Sequence, residues 1–120
     1  MWPNTTLPVK AKVLKPYQSA YPKPISFEVG EAVSLGEMDD EYPGWIRVTT
    51  ADGNTGWAPL KYLVSSGPND AIATTQYSAQ ELSAEAGESV ELIKQLDGWA
   101  WCLDNEGRHG WLPSALLQPI

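Results

Sequence analysis

A chain of 120 residues with one Cys holds no disulfide framework of its own, and a formal net charge of −7 argues against a phosphate backbone as partner. Residues 1–64 carry six Lys/Arg against seven Asp/Glu, a balance of −1, and residues 65–120 carry two against eight, a balance of −6. No apolar run reaches the ~18 residues of a membrane span, and MWPNTTLPVKAK lacks the apolar segment of a signal peptide.

The expectation is therefore a cytoplasmic protein with no membrane or nucleic-acid partner. The acidic second half reads as a solvated surface, with a basic partner as the alternative.

In chain order, the predicted strands are short. EAVSLGEM (Glu31–Met38), GWIRVTT (Gly44–Thr50) and TGWAPL (Thr55–Leu60) come first; ESVELIKQL (Glu88–Leu96) and GWAWCLD (Gly98–Asp104) follow. Each alternates or runs apolar over a strand's length. The breaks between them, DDEYPG, ADGNTG, LDGW and DNEGRHG, are rich in Asp, Asn and Gly. Those residues suit hairpins that need positive φ. No amphipathic helix is evident. SSGPNDA, from Ser65 to Ala71, has the composition of a short linker. Many short strands with ten Gly and ten Pro point to small β-barrels.

The chain repeats itself. Gly44, Trp45, Gly53, Gly56, Trp57, Pro59 and Leu63 recur as Gly98, Trp99, Gly107, Gly110, Trp111, Pro113 and Leu117. Upstream, Ser26, Glu28, Gly30, Glu31, Val33 and Leu35 recur as Ser83, Glu85, Gly87, Glu88, Val90 and Leu92. The offset falls from 57 to 54 between these sets, so the first copy carries three extra residues in the GEMDDEYPG loop. Two copies mean a duplicated small domain. A domain near 60 residues buries only about 60% of its unfolded surface, so each copy needs a dense aromatic core or a neighbour. We expect the two barrels to pack on each other.

These residues resemble the Src-homology-3 (SH3) family, twice over. Val13–Glu31 is similar to the family's opening segment and first long loop, with Ile25, Ser26, Phe27, Gly30 and Glu31 at its Leu-Ser-Phe and Gly-acid positions. Trp45, Gly53, Gly56, Trp57-Ala58-Pro59 and Tyr62 match the later positions in order. Tyr77, Leu82, Ser83, Gly87, Glu88, Trp99, Gly107, Gly110, Trp111 and Pro113 match them again. The Gly-Trp-x-Pro segments are similar to those of bacterial, often tandem, members.

The resemblance implies an all-β fold of two tandem five-stranded barrels: residues 9–64, a linker over 65–70, and residues 71–119. It also implies a groove in which proline rings of an extended peptide lie on aromatic faces. In the first copy the matching positions are Tyr17, Trp45, Pro59 and Tyr62, with Lys15 in place of one groove tyrosine. Its first long loop has no acid between Gln18 and Pro24, and Asp39, Asp40 and Glu41 stand in the other loop. Pro22 and Pro24 are expected to stiffen the first loop. The second groove would use Tyr77, Trp99, Trp101 and Pro113, with Leu116 in place of the final Tyr. All four groove positions are filled in the first copy, so it is expected to hold the working site.

Strand period puts Trp99 and Trp101 on one face and Ala100 and Cys102 on the other. The two Trp are a hot-spot candidate, or else they pack against the first copy or the N-terminal arm. Trp57 and Trp111 either line the groove or pack between strands. Cys102 aligns with Val48 and reads as a buried small apolar residue, and His109 as an exposed hairpin residue. Neither has a partner for nucleophilic chemistry, and metal-ligand spacing is absent.

No enzyme, cofactor or metal is therefore expected. The expected function is an adaptor or regulatory module that binds an extended, proline-rich peptide or a partner surface. Two other readings stand beside it: an accessory subunit of an enzyme or transport complex, and a cell-wall or glycan-binding pair.

Overall fold

The computed structural model describes residues 8–19 and 23–120. Twelve short strands run through them: β1 Val9–Val13, β2 Ser26–Phe27, β3 Ala32–Met38, β4 Trp45–Thr49, β5 Thr55–Pro59, β6 Leu63–Gly67, β7 Asp70–Ala73, β8 Tyr77–Ser78, β9 Ser89–Leu96, β10 Trp99–Leu103, β11 His109–Pro113 and β12 Leu117–Pro119. They form two five-stranded antiparallel sheets and one two-stranded ribbon, so the fold is all-β as expected. Pro22 lies outside the described residues.

The sheets do not follow the repeats. One compact unit is continuous and spans 23–79; the other is split, with segments on either side of it in sequence. In the continuous unit the strand order is β5-β4-β3-β7-β6, and in the split unit it is β11-β10-β9-β1-β12. The first strand of each repeat thus completes the sheet built by the other. β7, from the second repeat, lies between β3 and β6 of the first. β1, from the first repeat, lies between β9 and β12 of the second.

These compact units divide the chain differently from the expected segments 9–64, 65–70 and 71–119, and the physical reason lies in the stretch between Ser65 and Ala71. Gly67 pairs with Asp70 across only Pro68 and Asn69. Pro presets φ at the first central turn position, and Asn tolerates the second. A loop this short joins neighbouring antiparallel strands of one sheet. The backbone N–H of Leu35 also donates to the carbonyl of Asn69 at 2.8 Å, which ties the turn to β3. β7 thus stays in this sheet, between β3 and β6, in the place the expected arrangement gives to β1.

Both exchanged strands alternate as strands must. Ala11 and Val13 of β1, and Ala71 and Ala73 of β7, are buried, while Lys10, Lys12 and Asp70 are exposed. The split unit's core gathers Ala11, Val13, Leu82, Ala84, Val90, Leu92, Ala100, Cys102, Leu112 and Leu117. In the continuous unit Ile25, Phe27, Val33, Val48, Ala58, Ala71 and Ala73 are buried.

The hairpins read from the sequence are present. Gly53 and Gly107 turn the β4–β5 and β10–β11 hairpins at φ +85° and +83°. In the second of these, Asp104 accepts the backbone N–H of Glu106 and of Arg108, each at 2.9 Å, and Arg108 Nε at 2.8 Å. The β9–β10 turn is Asp97-Gly98, both at positive φ. The loop between β3 and β4 is longer, as the change of offset requires. Asp39 organises it by accepting the N–H groups of Glu41 and Tyr42 at 2.8 and 3.4 Å.

Candidate functional site

Each unit carries an aromatic cluster where a β-hairpin meets a 3₁₀ turn. In the continuous unit Trp45 opens β4 and sits opposite Pro59 at the end of β5. The 3₁₀ turn Leu60–Tyr62 follows at once and brings up Tyr62. The fourth member is Tyr77 and not Tyr17. Its ring lies 6.3 Å from Trp45 and 6.0 Å from Tyr62, the latter edge to face at 75°. Phe27, its cross-strand partner, is 5.4 Å away. The Tyr77 hydroxyl donates to the carbonyl of Trp57 at 2.9 Å.

The split unit repeats the plan. Trp99 opens β10 opposite Pro113 at the end of β11, and the 3₁₀ turn Ser114–Leu116 brings up Leu116. Here the tyrosine is Tyr17, 6.2 Å from Trp99 and nearly perpendicular at 76°. Its hydroxyl donates to Glu81 Oε1 at 3.0 Å. Its main chain is fixed by reciprocal bonds with Ala84, at 2.8 and 2.9 Å.

The tyrosines expected in the two grooves have therefore changed places. Tyr17 is expected beside Trp45, Pro59 and Tyr62; it stands with Trp99. Tyr77 is expected beside Trp99, Trp101 and Pro113; it stands with Trp45. The cause is the strand exchange, since each tyrosine travels with the first strand of its own repeat.

Accessibility differs between the clusters. Trp45 is 4% exposed and Tyr77 6%, so neither ring offers a free face. Pro59 and Pro113 are buried as well, whereas Tyr17, Trp99 and Leu116 are half-buried.

Along β10 the alternation is as read: Trp99, Trp101 and Leu103 are half-buried, and Ala100 and Cys102 are fully buried. Trp101 meets Trp111 edge to face at 5.2 Å and stacks on exposed His109 at 6.0 Å and 13°. So Trp101 packs within its own unit. In the continuous unit the equivalent pair is Arg47 and Trp57. There the guanidinium lies 5.5 Å from the ring, and Arg47 Nη2 donates to Thr55 Oγ1 at 2.8 Å.

Trp111 packs between strands: its main chain pairs with β10 on one side and bonds to Gln80 and Leu82 on the other. Burial pushes the Cys102 thiol up to about 12, which fits a core residue and not a nucleophile.

A cleft of about 400 Å³ opens beside Tyr17, lined by Pro16, Gln18, Ser83, Ala84, Glu85 and Glu88. Among the described residues no cluster of His, Cys, Asp or Glu could hold a metal, and no helix is long and apolar enough to cross a membrane.

Neither the Tyr17–Glu81 hydrogen bond nor the exchange of tyrosines follows from the sequence pattern. The one signal for the exchange was the brevity of Gly67-Pro68-Asn69-Asp70.

Comparison with known proteins agrees with an all-β tandem fold. A family model described as a variant SH3 domain matches residues 10–65 and again 73–120. The chain is 30% identical over 122 residues to SH3 and PX domain-containing protein 2B of Mus musculus and of Homo sapiens, covering 88% of this chain and 13% of each relative. It is 29% identical over 126 residues to NADPH oxidase organizer 1 of Homo sapiens, covering 90% of this chain and 33% of the relative. The chain thus spans a third or less of these relatives. They come from mouse and human, so the expected likeness to bacterial proteins is not shown. With the family's pattern matched twice, and two five-stranded sheets to fit the two matches taken together, the chain belongs to the SH3 family as a tandem pair.

Proposed function

We propose that this chain is a non-enzymatic adaptor or regulatory module that binds an extended, proline-rich peptide at the Tyr17–Trp99 pair of the split unit. A tandem SH3 pair is a protein-interaction module, and the proposal adds the ligand class and the place. The observation that carries it is the half-buried pair itself. Two half-buried rings, nearly perpendicular and 6.2 Å apart, form the kind of ridged apolar surface on which proline rings stack. A peptide already near polyproline II loses little entropy on docking.

Buried Trp45 and Tyr77 favour a structural role for the matching cluster in the continuous unit, contrary to the expectation that the first copy holds the working groove. The net charge of −7 speaks against nucleic acid as the ligand.

Titration of the ¹⁵N-labelled full chain with proline-rich decapeptides tests the proposal. Binding of order micromolar, about −8 kcal/mol, is expected, with shifts centred on Trp99 and Tyr17. Truncating an aromatic anchor costs about 2 kcal/mol, so Trp99→Ala should weaken binding about thirtyfold. An absence of shifts across the peptides, or shifts confined to the continuous unit, would refute it.

A further inference from the structure

Two tyrosines occupy equivalent places in the two units, and both are held by their hydroxyl groups. The acceptors differ. Tyr77 donates to a backbone carbonyl, that of Trp57, at 2.9 Å. Tyr17 donates to a side chain, Glu81 Oε1, at 3.0 Å. The repeat explains the difference: the offset of 57 that relates Ile25 to Leu82 places Pro24 opposite Glu81. Proline has no side-chain acceptor, so the continuous unit must use main chain. In the split unit the anchor is a replaceable carboxylate.

The main chain around Glu81 is fixed independently of that contact. Trp111 N–H donates to the carbonyl of Gln80 at 2.9 Å, and Leu82 N–H donates to the carbonyl of Trp111 at 3.2 Å. Glu81 itself bridges to Trp111. Tyr17 arrives from the other segment of the split unit, on the far side of the continuous unit in sequence. Its backbone is tied to Ala84, yet those bonds do not set the tilt of its ring. The ring lies beside Trp99, and its hydroxyl reaches back to Glu81.

We infer that Glu81 is a positioning residue of the split unit's groove: its carboxylate accepts the Tyr17 hydroxyl and thereby holds the Tyr17 ring perpendicular to Trp99. The inference rests on the peptide-binding reading for its consequence, though not for its geometry. A charged acceptor makes this a stronger bond than a neutral pair would. It also commits the Tyr17 hydroxyl proton to the protein.

The test is a double-mutant cycle on the full chain with two readouts. The first is the nuclear Overhauser contact between the Tyr17 and Trp99 rings without peptide. The second is the affinity for a proline-rich decapeptide. Glu81→Ala and Tyr17→Phe should each weaken the ring contact and lower affinity about five- to tenfold, the double variant should be no worse than either, and Glu81→Gln, which keeps an acceptor, should restore most of both. Thermal stability should change little in any of them.

Strictly additive effects, or a Glu81→Ala protein with the ring contact intact, would overturn the inference. If the unaltered chain binds no decapeptide, the functional proposal falls, and the ring contact still decides whether Glu81 positions Tyr17.

Discussion

Tyr17 and Trp99 meet at 6.2 Å, although one precedes the continuous unit in sequence and the other follows it. Their contact puts residues of the first repeat into the groove of the second. Tyr77 and Trp45 make the reciprocal contact at 6.3 Å. Neither cluster belongs to a single repeat.

This has a consequence for fragments. Residues 23–79 hold β2 to β8 and one complete five-stranded sheet, whereas residues 10–65, the stretch matched by the family model, lack β7 and Tyr77. We predict that 23–79 folds alone with dispersed amide signals. The 10–65 fragment should be less stable, because β1 must enter a slot shaped for Asp70–Ala73. Urea unfolding followed by tryptophan fluorescence compares them. A 10–65 fragment as stable as 23–79 would show that the exchange carries no preference.

Much of this architecture was legible. The duplication, the strands, the Gly-turned hairpins and the Trp99/Trp101 alternation follow from residue type and spacing. The exchange did not, and the reason is physical. β1 and β7 each offer two small buried residues, Ala11 and Val13 or Ala71 and Ala73, so pattern alone lets either strand enter either sheet. Only the length of the turn at Pro68-Asn69 decides, and its Gly, Pro and Asn also read as a linker. Glu81 carries no signal in the sequence, because its partner Tyr17 is 64 positions away.

Close packing at Gly110 gives a stability prediction. A Cβ there would lie 2.6 Å from the nitrogen of Leu82 and 2.8 Å from the carbonyl carbon of Glu81, both main-chain atoms. At Gly56, its equivalent, the nearest atom is the Ile25 Cγ1 at 3.0 Å, on a side chain that can shift. Gly110→Ala should therefore destabilise by about 3 kcal/mol and Gly56→Ala by about 1 kcal/mol, measured by chemical denaturation. Equal costs would mean that the 80–82 segment yields easily.

Asp104 sets a pH dependence. It is 8% exposed, and burial pushes its carboxyl up. The backbone N–H groups of Arg108 and Glu106 and the Arg108 guanidinium outweigh burial and hold it below the usual carboxylate range. A carboxyl lowered by folding contributes stability above its unfolded pKa of about 3.9, and that contribution is lost as pH falls through the lower folded value. Asp104→Asn should cost about 1–2 kcal/mol at pH 7, and the cost should fade below about pH 4. Melting curves of both proteins across pH measure it; a penalty that stays constant down to pH 2 would contradict the account.

Cys102 reports on the core. Its thiol is fully buried and pushed up to about 12, so a thiol reagent at pH 8 should leave the native chain unlabelled. Labelling should appear with unfolding of the split unit. A native rate near that of a free cysteine would place Cys102 outside the core.

The most direct test of grooves built across repeats uses the indole N–H signals of the full chain. Removing a tyrosine ring removes its ring-current effect on the tryptophan beside it. Tyr17→Ala should move the Trp99 indole signal and leave that of Trp45 in place, and Tyr77→Ala should do the reverse. A Tyr17→Ala protein in which Trp45 moves and Trp99 stays would return each tyrosine to its own repeat and contradict the exchange.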